Sequence, residues 1–317
     1  MRKAAYPSDY EARQEILDIG RRMYEKNYVA ANDGNISCKV GPDALWATPT
    51  GVSKGFMRQD QLVKMRLNGT VIQMGALKPS SEIKMHLRLY NENPEIMGVA
   101  HAHPPICTSF AIAGLGLDQA IYPEALVNLG TVPCVHYEAP GSQGIPDSVA
   151  PFCRDYNAVL LANHGALSWG TTLMEAFFRL ESMEHYAMVI MYTGNIIGRA
   201  NVLSCDQVGE LLKIRERLGV TTGGVPPCCA PAATNLRDSV APPAVCPCGR
   251  KSPGCASCGV KAPGEARSVP AAGPAAASVA ASAEGTGAEE DMVRLKSEVL
   301  KRLEPLMAAA FEGSLKT

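Results

Sequence analysis

Apolar periodicity stops near residue 220 and does not return until about residue 288, a break that divides the sequence into segments unable to share one core. Residues 220–287 are dominated by Pro, Gly, Ala, Ser and Thr and contain no aromatic residue. Such a stretch buries too little apolar surface to offset chain entropy, so the composition predicts a disordered linker. Residues 1–219 carry the signals of one α/β domain, and residues 288–317 those of a single amphipathic helix. With 46% hydrophobic residues overall, residues 1–219 can enclose a sizeable core.

Charge narrows the partners. A net charge of −1 leaves no basic footprint for nucleic acid or anionic lipid. No run approaches the roughly 20 apolar residues that span a bilayer. The N-terminus meets Pro7 and Asp9 before any apolar run, unlike a secretory leader. The expectation is a soluble, cytoplasmic protein with neither nucleic-acid nor membrane partners.

Within the first segment, Tyr10, Ile16, Leu17, Ile19, Met23 and Tyr24 recur at helical spacing. Strand-like runs follow at 35–40, 45–47, 62–67 and 71–73, the last two joined by Asn68-Gly69, a hairpin signal. Ser80-Ser81-Glu82 opens a helix that Asn93-Pro94 closes. Residues 98–103 and 158–162 suggest strands, and 171–192 and 204–218 helices.

The chemistry gathers on these elements. In a strand, His101 and His103 of His101-Ala102-His103 project from one face, close enough to grip one cation. His164 follows the apolar run 158–162 at another strand's end. Three neutral imidazoles with an open fourth position describe a catalytic zinc site, against the alternative of ordinary histidines. Glu82 is a candidate acid or base, or a dipole-favouring glutamate behind a serine N-cap. That helix start, Asp33-Gly34-Asn35 and Thr48-Pro49-Thr50-Gly51 all have phosphate-binding chemistry, though each loop alone also fits an ordinary turn.

Five motifs together carry a resemblance. Asn32-Asp33-Gly34-Asn35-Ile36-Ser37, Thr48-Pro49-Thr50-Gly51, Pro79-Ser80-Ser81-Glu82, His101-Ala102-His103-Pro104-Pro105 and Asn163-His164-Gly165 resemble, in order and spacing, the class II aldolase/adducin family over roughly residues 8–218. The resemblance implies a three-layer α/β domain with a mixed, mostly antiparallel sheet flanked by helices. It implies Zn2+ on His101, His103 and His164, with Glu82 as base and additional metal ligand. It implies phosphate binding by Gly34, Asn35, Thr50, Gly51, Ser80 and Ser81. Tyr122 matches a proton-donating tyrosine lent by a neighbouring subunit, which implies a homo-oligomer, tetrameric by resemblance. No tyrosine matches the one the aldolases use near the end of the domain, where Arg217-Leu218-Gly219 stands.

The implied reaction is reversible aldol cleavage of a ketose 1-phosphate of the L-fuculose 1-phosphate type to dihydroxyacetone phosphate and lactaldehyde. Rivals within the family are a pentulose-5-phosphate 4-epimerase and a sugar-phosphate dehydratase. A non-enzymatic rival is an adducin-like binding head.

The last segment steps through Met292, Leu295, Val299, Leu303, Leu306 and Ala310 with charges on its other face. Behind its linker it resembles the encapsulation peptides of enzymes packaged in bacterial microcompartments, which implies shell-protein partners and a location in the lumen. A helix that folds back on the domain or mediates oligomerisation is the alternative. Cys246-Pro247-Cys248 and Cys255-Ala256-Ser257-Cys258, with Cys228-Cys229 nearby, have metal-knuckle spacing or are reduced thiols of a linker.

Overall fold

A computed structural model describes residues 6–226. The remainder of the expected linker, the cysteine pairs and the helix at 288–317 lie outside the described residues. Helix α1 (Asp9–Glu25) opens on a capping box. The Ser8 hydroxyl accepts from Glu11 N–H at 3.2 Å, and the Glu11 carboxylate accepts from Ser8 N–H at 2.8 Å. Its buried stripe is Ala12, Ile16, Ile19 and Met23. Tyr10 and Tyr24, expected on that stripe, are exposed.

Eight strands form one sheet: β1 (Asn35–Gly41), β2 (Ala44–Ala47), β3 (Val63–Met65), β4 (Val71–Gln73), β5 (Gly98–Ala102), β6 (Cys134–Val135), β7 (Ala158–Leu161) and β8 (Gly165–Gly170). Their order across the sheet is β4-β3-β2-β1-β5-β8-β7-β6. Every pair is antiparallel except β6 with β7. The expected mixed, mostly antiparallel sheet is what forms. Period-2 alternation feeds two cores. Ile36, Trp46, Ala100, Ala166 and Leu160 point to one face, where α1, α3 (Pro105–Ala113) and α6 (Leu173–Met191) pack. Leu45, Val63, Val99, Leu167 and Val159 point to the other, under α2 (Ile83–Glu92) and α5 (Gly144–Val149). The layers are therefore helix, sheet, helix.

Four departures from the sequence reading affect the site. Helix α2 begins at Ile83, not Ser80, and Glu82 sits at its cap with helical backbone and no side-chain capping bond. His103 lies just beyond the end of β5. Helix α3 forms although its Pro-Ile-Cys-Thr sequence signals helix poorly, because Glu184 on α6 supplies the cap from a distance. Its buried carboxylate accepts from Ile106 N–H at 3.0 Å and Cys107 N–H at 2.8 Å. Strand β8 is fully buried. Its short run between glycines gives no alternation to detect.

Beyond its end, α6 continues as a π-helical turn at Tyr192–Ile197. A short helix, α4 (Pro123–Asn128), packs against α7 (Cys205–Arg217). Residues 220–226, expected to open the linker, are instead tied back to the domain. Thr131 N–H donates to the Gly223 carbonyl at 2.8 Å, and Gly223 N–H to that of Asp155 at 2.8 Å. The Arg215 guanidinium spans the Leu126, Thr222 and Gly224 carbonyls. Among the described residues, no helix is long and apolar enough to cross a membrane.

Candidate metal centre and its support

The centre of the sheet assembles the site. In the β1–β5 ladder Asn35 is registered opposite His101. His101 shares the α2-facing side with Val99, two residues before it. His103 follows immediately, and its N–H donates to the Tyr28 carbonyl at 2.9 Å. His164 lies in the turn from β7 to β8, after Asn163, whose φ of 58° is left-handed. Gly165 lets His103 approach, since a Cβ there would stand 2.5 Å from the His103 ring. The three rings lie 4.8–5.0 Å apart between centroids. Their ligand nitrogens all fall within 4.8 Å of one another.

The hydrogen bonds behind the rings define their faces. His101 Nδ1 lies 2.9 Å from the Ala166 carbonyl, which can only accept, so Nδ1 carries the proton. His103 Nδ1 lies 3.3 Å from the Asp33 carboxylate, which likewise accepts. Both Nε2 atoms are thus left as lone pairs, and they face each other at 3.2 Å. Two such lone pairs repel unless a cation lies against both. This pair fits a divalent ion with imidazole ligands, both oriented by the acceptors behind them.

Glu82 closes the fourth side. Its Oε1 is 3.1 Å from His164 Nε2, and its Oε2 is 3.7 Å from His101 Nε2. Burial, the largest single influence, would raise the Glu82 carboxyl. The His164 hydrogen bond and electrostatic attraction to the three imidazoles outweigh it and hold the group at about 2. Burial pushes His101 well below its usual range and lowers His103, which keeps both rings neutral, as ligation requires.

Asn35 is fully buried, with its amide committed to two partners. Nδ2 donates to Glu82 Oε2 at 2.7 Å, and Oδ1 lies 2.6 Å from His86 Nε2. Asn35 thus supports the carboxylate, a role the sequence reading did not give it. Gly34 shapes the loop beside it. At φ 76° it is packed against the His101 carbonyl, which a Cβ would approach to 2.9 Å, so it serves the loop's close approach.

Four of the expected phosphate residues come together. Thr50 N–H donates to the Lys78 carbonyl at 2.9 Å and Ser80 N–H to that of Thr48 at 3.3 Å. Thr50, Gly51, Ser80 and Ser81 thus share one partly exposed lip beside Glu82. Tyr122, in contrast, caps α4, with its ring 5.6 Å from His185 and 6.4 Å from Tyr186.

The sequence reading missed two supporting residues. Lys54 is buried, and its ammonium joins two loops by donating to the Asn32 carbonyl at 2.8 Å and that of Val52 at 2.9 Å. Burial pushes Lys54 down to about 8 against the opposing pull of Asp33 and Glu82. No motif marks it. His86 did carry a signal, since it stands four residues after Glu82 and thus on the same helix face.

Burial holds the His86 ring at about 3, against 6.5 for an ordinary histidine. Below pH 6.5 the unfolded chain takes up a proton here that the native state refuses until about pH 3. Native stability should therefore fall with pH across that window, by up to about 1.4 kcal/mol per pH unit from this group. Urea unfolding of metal-free protein should show a midpoint that drops on acidification. The drop should be shallower in His86→Gln, and an equal slope in both proteins would refute the assignment.

A family model described as Class II Aldolase and Adducin N-terminal domain matches residues 14–191. A 3-oxo-tetronate 4-phosphate decarboxylase from Pectobacterium atrosepticum is 32% identical over 213 residues, spanning 66% of this chain and 96% of that protein. An L-fuculose phosphate aldolase from Methanocaldococcus jannaschii is 31% identical over 179 residues, 56% of this chain and 95% of that one. Among solved structures, YgbL from Klebsiella pneumoniae superposes with a TM-score of 0.60 at 32% identity, over 65% of this chain and 99% of that one.

Proposed function

The chain belongs to the class II aldolase and adducin N-terminal domain family, and from that premise we propose that it is a zinc-dependent lyase that breaks a carbon–carbon bond near the carbonyl of a sugar phosphate. The observation that carries this reading is the opposed Nε2 pair of His101 and His103 at 3.2 Å, with the Glu82 carboxylate beside it. A zinc ion held by His101, His103 and His164 would supply electrophilic stabilisation of negative charge developing at a substrate carbonyl oxygen. Glu82 moves the carbon-bound proton, removing it in the synthetic direction and returning it after cleavage. The Thr50, Ser80 and Ser81 hydroxyls and the Gly51 and Ser81 N–H groups receive the phosphate, beside Gly34 and Asn35. Tyr122 exchanges a proton with the aldehyde oxygen from a neighbouring subunit of a homotetramer.

The substrate is a ketose 1-phosphate of the L-fuculose 1-phosphate type, released as dihydroxyacetone phosphate and lactaldehyde. A second reading has specific support in the decarboxylase relative from Pectobacterium. Loss of carbon dioxide from 3-oxo-tetronate 4-phosphate also leaves dihydroxyacetone phosphate. Either reaction leaves an electron pair on carbon next to a carbonyl, and the same carboxyl group can return the proton. The proposed addressing to a microcompartment lumen, through shell proteins, rests on the pattern of residues 288–317 alone.

The test is a product assay on zinc-loaded protein with ketose 1-phosphates, 3-oxo-tetronate 4-phosphate and pentulose 5-phosphates. Dihydroxyacetone phosphate with lactaldehyde supports the first reading, and with carbon dioxide the second. Interconversion of pentulose 5-phosphates, or no dihydroxyacetone phosphate from any substrate, would overturn both.

A further inference from the structure

Behind Glu82 runs a continuous file of buried polar groups that ligand and phosphate binding do not explain. Its protons can be assigned outward from the carboxylate, which only accepts. Glu82 Oε2 takes a hydrogen bond from Asn35 Nδ2 at 2.7 Å, which turns the Asn35 carbonyl oxygen towards α2. His86 Nε2 lies 2.6 Å from that oxygen and must therefore donate. Being neutral, the ring keeps a lone pair on Nδ1, which accepts from the Ser37 hydroxyl at 2.8 Å. Tyr90 ends the file, with its hydroxyl 3.0 Å from the Ser37 carbonyl and 2.8 Å from the Ser37 hydroxyl. Asn35, Ser37 and His86 are fully buried and Tyr90 nearly so. From Ser37 inward, every donor points towards the carboxylate.

We infer that His86 is a positioning residue of the reaction: through Asn35 it fixes Glu82 Oε2 as a permanent acceptor and leaves Oε1, beside His164, as the oxygen that exchanges the substrate proton. The inference rests on the lyase reading for what Glu82 does, but the order of donors is a property of the protein alone. An unsupported Asn35 amide could flip, set its carbonyl against the carboxylate and drive Glu82 out of line. One side of α2 thus carries both the base, at its N-terminal cap, and the group that aims it.

Two measurements test this. In metal-free wild-type protein, nitrogen-15 spectra of the His86 ring should show a proton on Nε2 and an accepting Nδ1, unchanged between about pH 8 and about pH 5. A proton on Nδ1, or an imidazolium in that range, would overturn the donor order whatever the substrate proves to be. In zinc-loaded protein, His86→Leu should lower kcat by about 10–100-fold while KM and bound metal stay at wild-type levels. His86→Gln keeps an N–H for Asn35 and should recover most of that loss. Full kcat in His86→Leu, or no recovery in His86→Gln when both variants are folded, would refute the positioning role. Should the leucine variant not fold, the glutamine variant and the ring spectra still decide. Failure of every substrate with a correct ring spectrum would instead count against the lyase reading.

Discussion

Glu82→Gln should retain its metal and lose roughly 10²–10⁴-fold in turnover, the range expected when a positioned proton carrier is removed. The substitution keeps the length and planarity of the side chain. The new carboxamide can turn its oxygen to Asn35 Nδ2, now 2.7 Å from Oε2, so the buried file behind it stays satisfied. What disappears is the basic oxygen 3.1 Å from His164 Nε2. His101 and His103 keep the acceptors that orient them, and all three imidazoles remain in place, so zinc content should match wild type. The sensitive readout is exchange of the carbon-bound proton of dihydroxyacetone phosphate for solvent deuterium, followed by proton NMR. Exchange at near wild-type rates would mean that another group carries the proton.

His103→Ala should abolish both bound zinc and turnover while leaving the fold largely intact. A catalytic zinc site commonly has three protein ligands, and removal of one leaves two imidazoles and a carboxylate whose own role is chemical. The change should be mild for the fold because His103 follows β5 and its side chain is 25% exposed. A surface-type loss of about 1 kcal/mol is the expected scale. Metal content after desalting, read beside a thermal melt, separates the two effects. A folded variant with full metal occupancy would sink the assignment of His103.

Much of this site could be read from the chain because its candidate ligands come from short motifs at strand and helix ends. His101-Ala102-His103 predicted its own geometry from the two-residue period of a strand, although His103 stands one residue past β5. Glu82 was visible as a candidate, but the serine cap that competed with it does not form. The Ser80 hydroxyl instead accepts from Glu82 N–H at 3.4 Å, and the carboxylate turns inward. What could not be read depends on distant partners. The commitment of Asn35 to Glu82 and His86 needs β1 and α2 in contact, a fact no window of sequence contains. Helix α3 exists because Glu184, 77 residues after Cys107, caps it. Lys54 resembles any loop lysine until two loops close over it. The eight-stranded sheet was foreseen in type, while β8 was missed because a buried run between glycines shows no alternation.

The sheet order also bears on how the protein acquires its chemistry as it folds. Strands β1, β5 and β8 are neighbours in space, yet long stretches of chain separate them. An incomplete fold can offer a cation only the His101 and His103 pair, which are local. The third imidazole arrives when the hairpin of β7 and β8 docks on β5, and the carboxylate when α2 settles against β1. Long-range closures of this kind form slowly. A cation held by all three imidazoles would therefore report that the middle of the sheet has closed in the right register.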